Sequence, residues 1–141
     1  MIVVVPFHSK DAELAQKQWR HIASLGPWPS GFSVLALADS KTGSKAIKET
    51  CDAIKAVVDK EMSMMLVNAP QGWPQGPNAM WITAASAITT EPWLWLEPDC
   101  TPLKAGWLES IQAEYAKKKS KYLGQRIIFE GKPMLFGCAV Y

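Results

Sequence analysis

Two acidic residues separated by one proline, Glu97 and Asp99, are the side chains of this sequence best placed to do chemistry. They follow a short apolar run, residues 93–96, that has the character of a buried strand. In an extended segment, residues i and i+2 face the same side, so both carboxylates can address one ligand. At a separation of about 6.6 to 6.8 Å along the strand, they can share a hydrated divalent cation, one directly and one through water or a hydroxyl group. Oxygen donors favour Mg²⁺ or Mn²⁺ over Zn²⁺.

A plainer interpretation of the same acids stays open. Acidic residues are common near helix starts, where they complement the helix dipole, and Asp99 or Thr101 could simply cap a following helix. If the acids do hold a cation, that cation would neutralise a diphosphate group and stabilise it as a leaving group. Spacing alone therefore leaves two hypotheses, a metal site for a diphosphate ester and an ordinary loop.

The hydrophobic pattern around these acids predicts strands that alternate with helices. Continuous apolar runs typical of buried strands cover residues 2–5, 32–38, 64–67 and 93–96. Helical spacing of apolar residues follows each run, with helix starts predicted at Asn78 and at Thr101 and Pro102. Residues 122–141 predict two more strands around a turn. The fold class is therefore α/β, with three layers (α/β/α) and a mainly parallel, Rossmann-like sheet.

Parallel sheets of this kind bind ligands at the carboxyl ends of their strands. In this chain those ends carry residues 6–8, Asp39, residues 68–70 and residues 97–99, and Pro6 is expected to stop the first strand. These segments are more polar and acidic than the strands before them, which predicts a ligand site along this edge. No G-x-G-x-x-G or G-x-x-x-x-G-K-[ST] sequence follows any of the strands. Neither a dinucleotide-binding fold nor a P-loop is supported.

Composition sets the broad class. The 141 residues are 48% hydrophobic, which is enough for one domain with a real core and short for two. Fifteen Lys and Arg against thirteen Asp and Glu leave a net charge of +2, which is no direct evidence for nucleic-acid binding. Three widely spaced cysteines predict neither disulfides nor a zinc site, and no apolar run reaches the length of a membrane span. We therefore predict a soluble, cytoplasmic protein.

Residues 92–106, Pro-Trp-Leu-Trp-Leu-Glu-Pro-Asp-Cys-Thr-Pro-Leu-Lys-Ala-Gly, resemble the metal-site region of GT-A type glycosyltransferases. The shared pattern is a hydrophobic strand, an Asp-x-Asp sequence, a small residue, a proline and then a helix. Residues 3–8 resemble the first strand of that family, whose end holds the nucleotide base, and residues 76–79 resemble the loop that precedes the metal strand. Two features depart from the pattern: Glu97 replaces the first aspartate, and the chain ends at Tyr141, where an acceptor half would follow.

The resemblance implies a metal-assisted transferase that moves a sugar from a nucleoside-diphosphate sugar to an acceptor. Asp99 would be the principal ligand of Mn²⁺ or Mg²⁺, and Glu97 would bind the metal or accept from sugar hydroxyls, which makes these two the expected catalytic pair. The donor-binding residues implied are Pro6, Phe7 and His8 around the base with Asp11 nearby, Asp39 at the base or ribose, and Asn78 at the nucleotide or sugar. Residues 1–141 would form a single nucleotide-sugar-binding domain with a short or missing acceptor side.

Other functions and plainer roles remain open at this stage. The chain could be a catalytically incomplete module that binds nucleotide or sugar without turnover, or a nucleotide-binding regulator of flavodoxin-like topology. His8 and Asp39 could serve only in turns, and Asn78 could serve only as a helix cap.

The seven tryptophans divide by their setting in the sequence. Core packing is predicted for those on helices and on the fourth strand, which are Trp19, Trp81, Trp93, Trp95 and Trp107. Trp28 and Trp73 stand in Pro/Gly loops, where an indole can stack on a sugar or a base or can equally cover a small apolar cluster.

Overall fold

Strands and helices alternate along the chain as predicted, until a final strand pair. The computed structural model describes residues 1–58, 60–69, 72, 74–118, 120–129 and 131–141, with side chains for all of these except residues 126, 127, 129 and 132–136. The strands are β1 (Ile2–Phe7), β2 (Ser33–Asp39), β3 (Met62–Val67), β4 (Trp93–Trp95), β5 (Leu123–Phe129) and β6 (Lys132–Val140). The helices are α1 (Ala12–Ser24), α2 (Ser44–Val58), α3 (Gln75–Ala87) and α4 (Trp107–Lys117).

One mixed, mostly parallel sheet of six strands organises the molecule, in the order β3-β2-β1-β4-β6-β5. The first four strands in that order run parallel, and β6 and β5 pair antiparallel to their neighbours. The carboxyl ends of β1, β2, β3 and β4 therefore lie along one edge, where a ligand site was predicted. A flavodoxin-like sheet has the order 2-1-3-4-5, so the topology contradicts that alternative.

Helices cover both faces of the sheet, which confirms the predicted three layers. The β1 run shows how the sequence encodes this, because Val3 and Val5 pack toward one face, Val4 packs toward the other, and all three are fully buried. Helices α1, α2 and α4 contribute to the cluster around Val3 and Val5, whereas α3 packs with Val4 through Met80 and Ala84. A strand covered on both faces needs the continuous apolar run seen in the sequence.

Pro6 does not end β1, contrary to the prediction. The strand continues to Phe7, with Pro6 opposite Leu37 and Phe7 opposite Ala38 of β2. Proline removes a backbone donor but keeps an extended φ, and burial of the Phe7 ring holds the chain against the sheet. The strand therefore delivers Phe7 to the edge of the predicted site.

Two predicted helix starts are wrong. Helix α3 begins at Gln75, after Pro74, so Asn78 lies inside its first turn and is not the N-cap. Helix α4 begins at Trp107, after Gly106 with a φ of 69°, whereas Thr101 and Pro102 lie in the preceding loop. The apolar residue of that loop, Leu103, is 88% exposed. Without a buried face, a good capping sequence did not start a helix there.

The tryptophans of the described residues pack in two groups, one on each face of the sheet. Trp19 is fully buried, with its ring 5.5 Å from that of Trp28, which in turn lies 6.5 Å from Trp107. The Trp28 indole N–H also donates to Phe32 O at 2.9 Å. Trp28 therefore packs against the core near the amino end of β2, away from the carboxyl ends of the strands. A role in stacking on a ligand is not supported. Trp73, the other candidate, lies outside the described residues.

Replacing Trp28 with alanine should lower stability without changing affinity for a ligand at the predicted site. The variant loses an aromatic pair and a hydrogen bond at a half-buried position, so the free energy of unfolding should fall by about 1 to 3 kcal/mol. Urea unfolding measures the first quantity, and calorimetric titration with a panel of sugar nucleotides, the ligands that the resemblance implies, measures the second. A folded variant with clearly weakened affinity would restore the stacking hypothesis.

Among the described residues, no helix combines the length and apolar character needed to cross a bilayer.

Candidate active site

A cavity of about 440 Å³ opens at the carboxyl ends of β1, β2 and β4. It is lined by predicted site residues from three strand ends: Pro6, Phe7, His8, Asp11, Asp39, Glu97 and Asp99. Asn78 is not among the lining residues, and its side chain is exposed in the first turn of α3. The topology therefore brings together side chains that lie up to 93 positions apart, from Pro6 to Asp99, in the sequence.

The turn after β4 carries the strongest group of potential metal donors. The Cys100 N–H donates to Glu97 O at 3.0 Å, which closes a tight turn over residues 97–100. One donor atom each from Glu97, Asp99 and Cys100 lies within 4.8 Å of the other two. The two acids were predicted as a pair, but the extended segment expected for them is wrong: β4 ends at Trp95 and the acids lie in a turn, which brings their donor atoms within 4.8 Å. Cys100 was not predicted, because a lone cysteine has no recognisable spacing pattern.

Glu97 and Asp99 sit in an excess of negative charge. Burial raises the pKa of Glu97, and the charges of Asp99 and Asp11 raise it further, against the effect of a hydrogen bond from the Trp95 indole N–H to Oε1 at 3.1 Å. Mutual repulsion of this kind is relieved by a cation placed among the carboxylates. Two carboxylates and a thiol within reach of one point therefore fit a divalent metal ion, with oxygen as the harder and preferred donor for Mg²⁺ or Mn²⁺.

Asp11 approaches this acidic group from the loop between β1 and α1. Its Oδ1 accepts from the His8 backbone N–H at 2.6 Å, and the His8 Nδ1 accepts from the Lys10 N–H at 3.0 Å. Burial raises the pKa of Asp11, partly opposed by the hydrogen bond and the charge of His8, and the negative charge of Asp99 adds to the rise. The turn role that the sequence allowed for His8 is present, and the same turn sets its ring and the Asp11 carboxylate on the cavity wall.

Asp11→Asn should stabilise the metal-free protein at neutral pH. Because its folded pKa is raised, the ionised carboxyl destabilises the fold, and that cost appears as pH rises through the raised pKa. Asparagine keeps an acceptor for His8 without the charge, so the melting temperature should rise. Differential scanning calorimetry across pH tests this.

The same pH series supplies the control for that variant. Below about pH 3, roughly one unit under the unfolded pKa of an aspartate, the wild-type carboxyl is protonated in both states, so the two melting temperatures should converge. A gain that persists unchanged at acid pH would show that charge is not its cause.

The wall formed after β2 contains a lysine that sequence reasoning missed. Asp39 Oδ1 accepts from the Lys41 backbone N–H at 3.1 Å, and the Lys41 ammonium donates to Ala69 O at 3.1 Å. Asp39 thus forms the turn that its sequence allowed and also lines the cavity. Lys41, and Lys10 from the loop after β1, add two cationic groups to the lining of the cavity. A lysine two residues after a strand-end aspartate is too common for sequence alone to single out.

Trp95 is a further residue of the cavity that was not predicted, and here the sequence did carry a signal. Residues i and i+2 of a strand share a face, so Trp95 and Glu97 were placed to meet. The structure joins them through the indole hydrogen bond and sets Trp95 on the cavity wall. The rest of the cavity lining includes Ala69 and residues in the first part of α3, among them Gly76 and Met80.

Solved structures resemble this fold, although no protein-family model matches the sequence and no curated protein does. The mannosyltransferase PcManGT from Pyrobaculum calidifontis, in complex with GDP-Man and Mn²⁺, aligns with a TM-score of 0.65 at 15% identity over 87% of this chain. The galactosyltransferase LgtC, in complex with donor and acceptor sugar analogs, aligns with a TM-score of 0.70 at 9% identity over 99% of this chain. TarS 1–349 from S. aureus aligns with a TM-score of 0.59 at 16% identity over 87% of this chain.

The chain has the fold of the GT-A glycosyltransferases. This confirms the fold predicted from residues 92–106 and from the first strand. The chain spans 34% of PcManGT, 57% of LgtC and 34% of TarS 1–349. At these identities the likeness establishes architecture, while activity depends on the site itself.

Proposed function

We propose that the cavity binds a nucleoside-diphosphate sugar together with Mn²⁺ or Mg²⁺, and that the protein transfers the sugar to an acceptor still to be identified. One observation carries the proposal: Glu97 and Asp99, with Asp11 beside them, crowd negative charge at the end of β4 in a GT-A fold. An anionic diphosphate could approach such acids only with a cation between them. The charge pattern and the fold therefore point to the same ligand.

Asp99 and Glu97 are the residues that would hold the cation, with the Cys100 thiol as a third and softer donor. When bound, the metal neutralises the diphosphate and stabilises it as a leaving group. Trp95 would orient the Glu97 carboxylate through its indole N–H, at 3.1 Å from Oε1. Asp99 is exposed and lines the cavity, so it would be accessible to the incoming ligand.

The base and ribose would lie against the ends of β1 and β2. Pro6, Phe7 and His8 line the cavity there, and the Asp39 carboxylate offers acceptors for base N–H groups or ribose hydroxyls. Lys10 and Lys41 line the same cavity and would supply positive charge for phosphate oxygens. We leave Asn78 out of the proposed site because it does not line the cavity.

A second candidate is a binding module without turnover, because all the residues assigned above serve the donor and none is assigned to the acceptor. Donor binding and transfer are therefore separable claims. The two candidates agree on the ligand and differ on chemistry.

Calorimetric titration with a panel of UDP- and GDP-sugars tests the proposal, run with Mn²⁺, with Mg²⁺ and with EDTA. We expect binding of at least one sugar nucleotide that is lost in EDTA. Chromatography of the same mixtures for released UDP or GDP then separates the candidates, because turnover releases the nucleotide and simple binding does not. Binding unaffected by EDTA would contradict the metal site, and failure of every sugar nucleotide to bind would overturn the proposal.

A further inference from the structure

A buried glutamine of α1, Gln18, holds the acidic turn from beneath. Its side chain is only 2% exposed, and it reaches the turn across 79 positions of sequence. The single amide nitrogen, Nε2, donates to Glu97 O at 2.7 Å and to Cys100 O at 2.6 Å. Both of its hydrogens are therefore committed to the two ends of the turn that presents Glu97, Asp99 and Cys100.

The turn is held from its other side as well. Strand β6 bulges at Gly137 and Cys138, where the pairing register with β5 shifts, and the Glu97 N–H lies 3.4 Å from Cys138 Sγ. Gly137 adopts a φ of 62°, and a Cβ atom at this position would lie 3.9 Å from Cys100 Sγ and 4.0 Å from Glu97 Oε2. With Gln18 below and the bulge alongside, the backbone of the turn has little freedom to change the spacing of its donor atoms.

The chemistry of the amide fixes which way Gln18 faces. With oxygen and nitrogen exchanged, Oε1 would point at two carbonyl oxygens, an arrangement that repels. In the orientation that bonds, Oε1 is buried and has no partner within the described part of the chain. A buried acceptor without a donor destabilises a fold, so the two hydrogen bonds from Nε2 to the turn are what favours a glutamine here. The nitrogen, and the turn it holds, supply the explanation.

We propose that Gln18 is a positioning residue for the cation site, setting the distances among the donor atoms of Glu97, Asp99 and Cys100. It touches neither the metal nor the sugar nucleotide, and it acts only through the two carbonyl groups of the turn. The inference rests on the proposed function, because it takes the cation to bind at Glu97 and Asp99. Outer-shell groups that orient metal ligands typically account for about 10- to 100-fold in metal affinity.

The test compares Gln18→Leu with Gln16→Leu, a matched control on the same helix. Gln16 is also buried, at 8% exposure, but its Nε2 donates to Thr50 Oγ1 at 3.4 Å and it does not line the cavity. Electron paramagnetic resonance of free Mn²⁺ gives the metal affinity of each protein. We expect Gln18→Leu to weaken Mn²⁺ binding about 10- to 100-fold, with Gln16→Leu close to wild type. Equal Mn²⁺ affinities in the two variants would overturn the inference.

A metal-free measurement keeps this inference separate from the proposed function. The Cys100 N–H closes the turn onto Glu97 O, so its hydrogen exchange should be faster in Gln18→Leu than in wild type and unchanged in Gln16→Leu. If wild type binds no Mn²⁺, the proposed function fails whatever the exchange rates show. If wild type binds and the Cys100 exchange rate is the same in all three, the positioning role fails. Gln18→Met, unbranched and of similar length, replaces the leucine variant should that one not fold.

Discussion

Asp99→Asn is expected to weaken Mn²⁺ binding by more than about 100-fold, beyond the effect typical of outer-shell residues. Asparagine keeps the shape of the side chain but offers a neutral carbonyl oxygen where the cation needs a charged one. Only Glu97 and Cys100 would remain of the three converging donors. Because the cation held by these acids would supply the charge that offsets a diphosphate, sugar-nucleotide affinity should fall with it. Calorimetric titration with Mn²⁺ alone, and then with the sugar nucleotide that binds wild type, measures both losses.

Asp52→Asn is the matched control for that variant. Asp52 is an exposed aspartate of α2 that pairs with Lys48 at 2.6 Å and does not line the cavity. The substitution makes the same change in net charge, so it corrects for any long-range electrostatic effect on Mn²⁺. Full Mn²⁺ affinity in Asp99→Asn would show that the acids after β4 are ordinary loop acids, the plainer interpretation that the sequence allowed.

Trp19→Ala should cause the largest loss of stability. The side chain has no exposed surface and is the largest of the fully buried ones in the described core. Removing it leaves a cavity between α1 and the sheet, so the free energy of unfolding should fall by about 3 to 5 kcal/mol. Urea unfolding followed by far-UV circular dichroism measures the loss. Asp11 directly precedes α1 and Gln18 lies on it. If the substitution shifts α1, both residues should move relative to the acidic turn, and Mn²⁺ binding should weaken.

Trp28→Ala provides the comparison for Trp19→Ala, since both remove an indole from the same aromatic pair. Trp28 is half-buried and Trp19 is fully buried, so the loss at Trp19 should be clearly the greater. Equal losses would mean that the pair contact, rather than burial at Trp19, determines the stability of this layer.

Sequence patterns predicted the layers and the strand ends because these depend on local periodicity. The β-branched run before Pro6 needs burial on both faces, and this alone indicates a central parallel strand. Once the strands are parallel, their carboxyl ends must share an edge, so Phe7, Asp39 and Glu97 were predicted to meet and do line one cavity. The resemblance at residues 92–106 added the identity of the fold, which periodicity could not supply.

Helix starts and the supporting residues of the site depend on tertiary contacts, and there the sequence was insufficient. Thr101 and Pro102 have good capping chemistry, but no apolar face is buried until Leu108. Gln18 is one polar residue in an amphipathic helix, and nothing local indicates that it reaches the turn at Glu97. Lys41 likewise gains meaning only because its ammonium meets Ala69 O across the edge of the sheet.

The hydrogen bond between Trp95 and Glu97 has an optical consequence. Of the tryptophans in the described structure, Trp95 is the one whose indole N–H contacts a carboxylate of the cavity, and its ring also lies 6.0 Å from that of Trp93. A cation drawn to Glu97 changes the electric field along that indole. If the proposed cation binds, ultraviolet fluorescence of the unlabelled protein should therefore respond to it, and Trp95→Phe should remove that response.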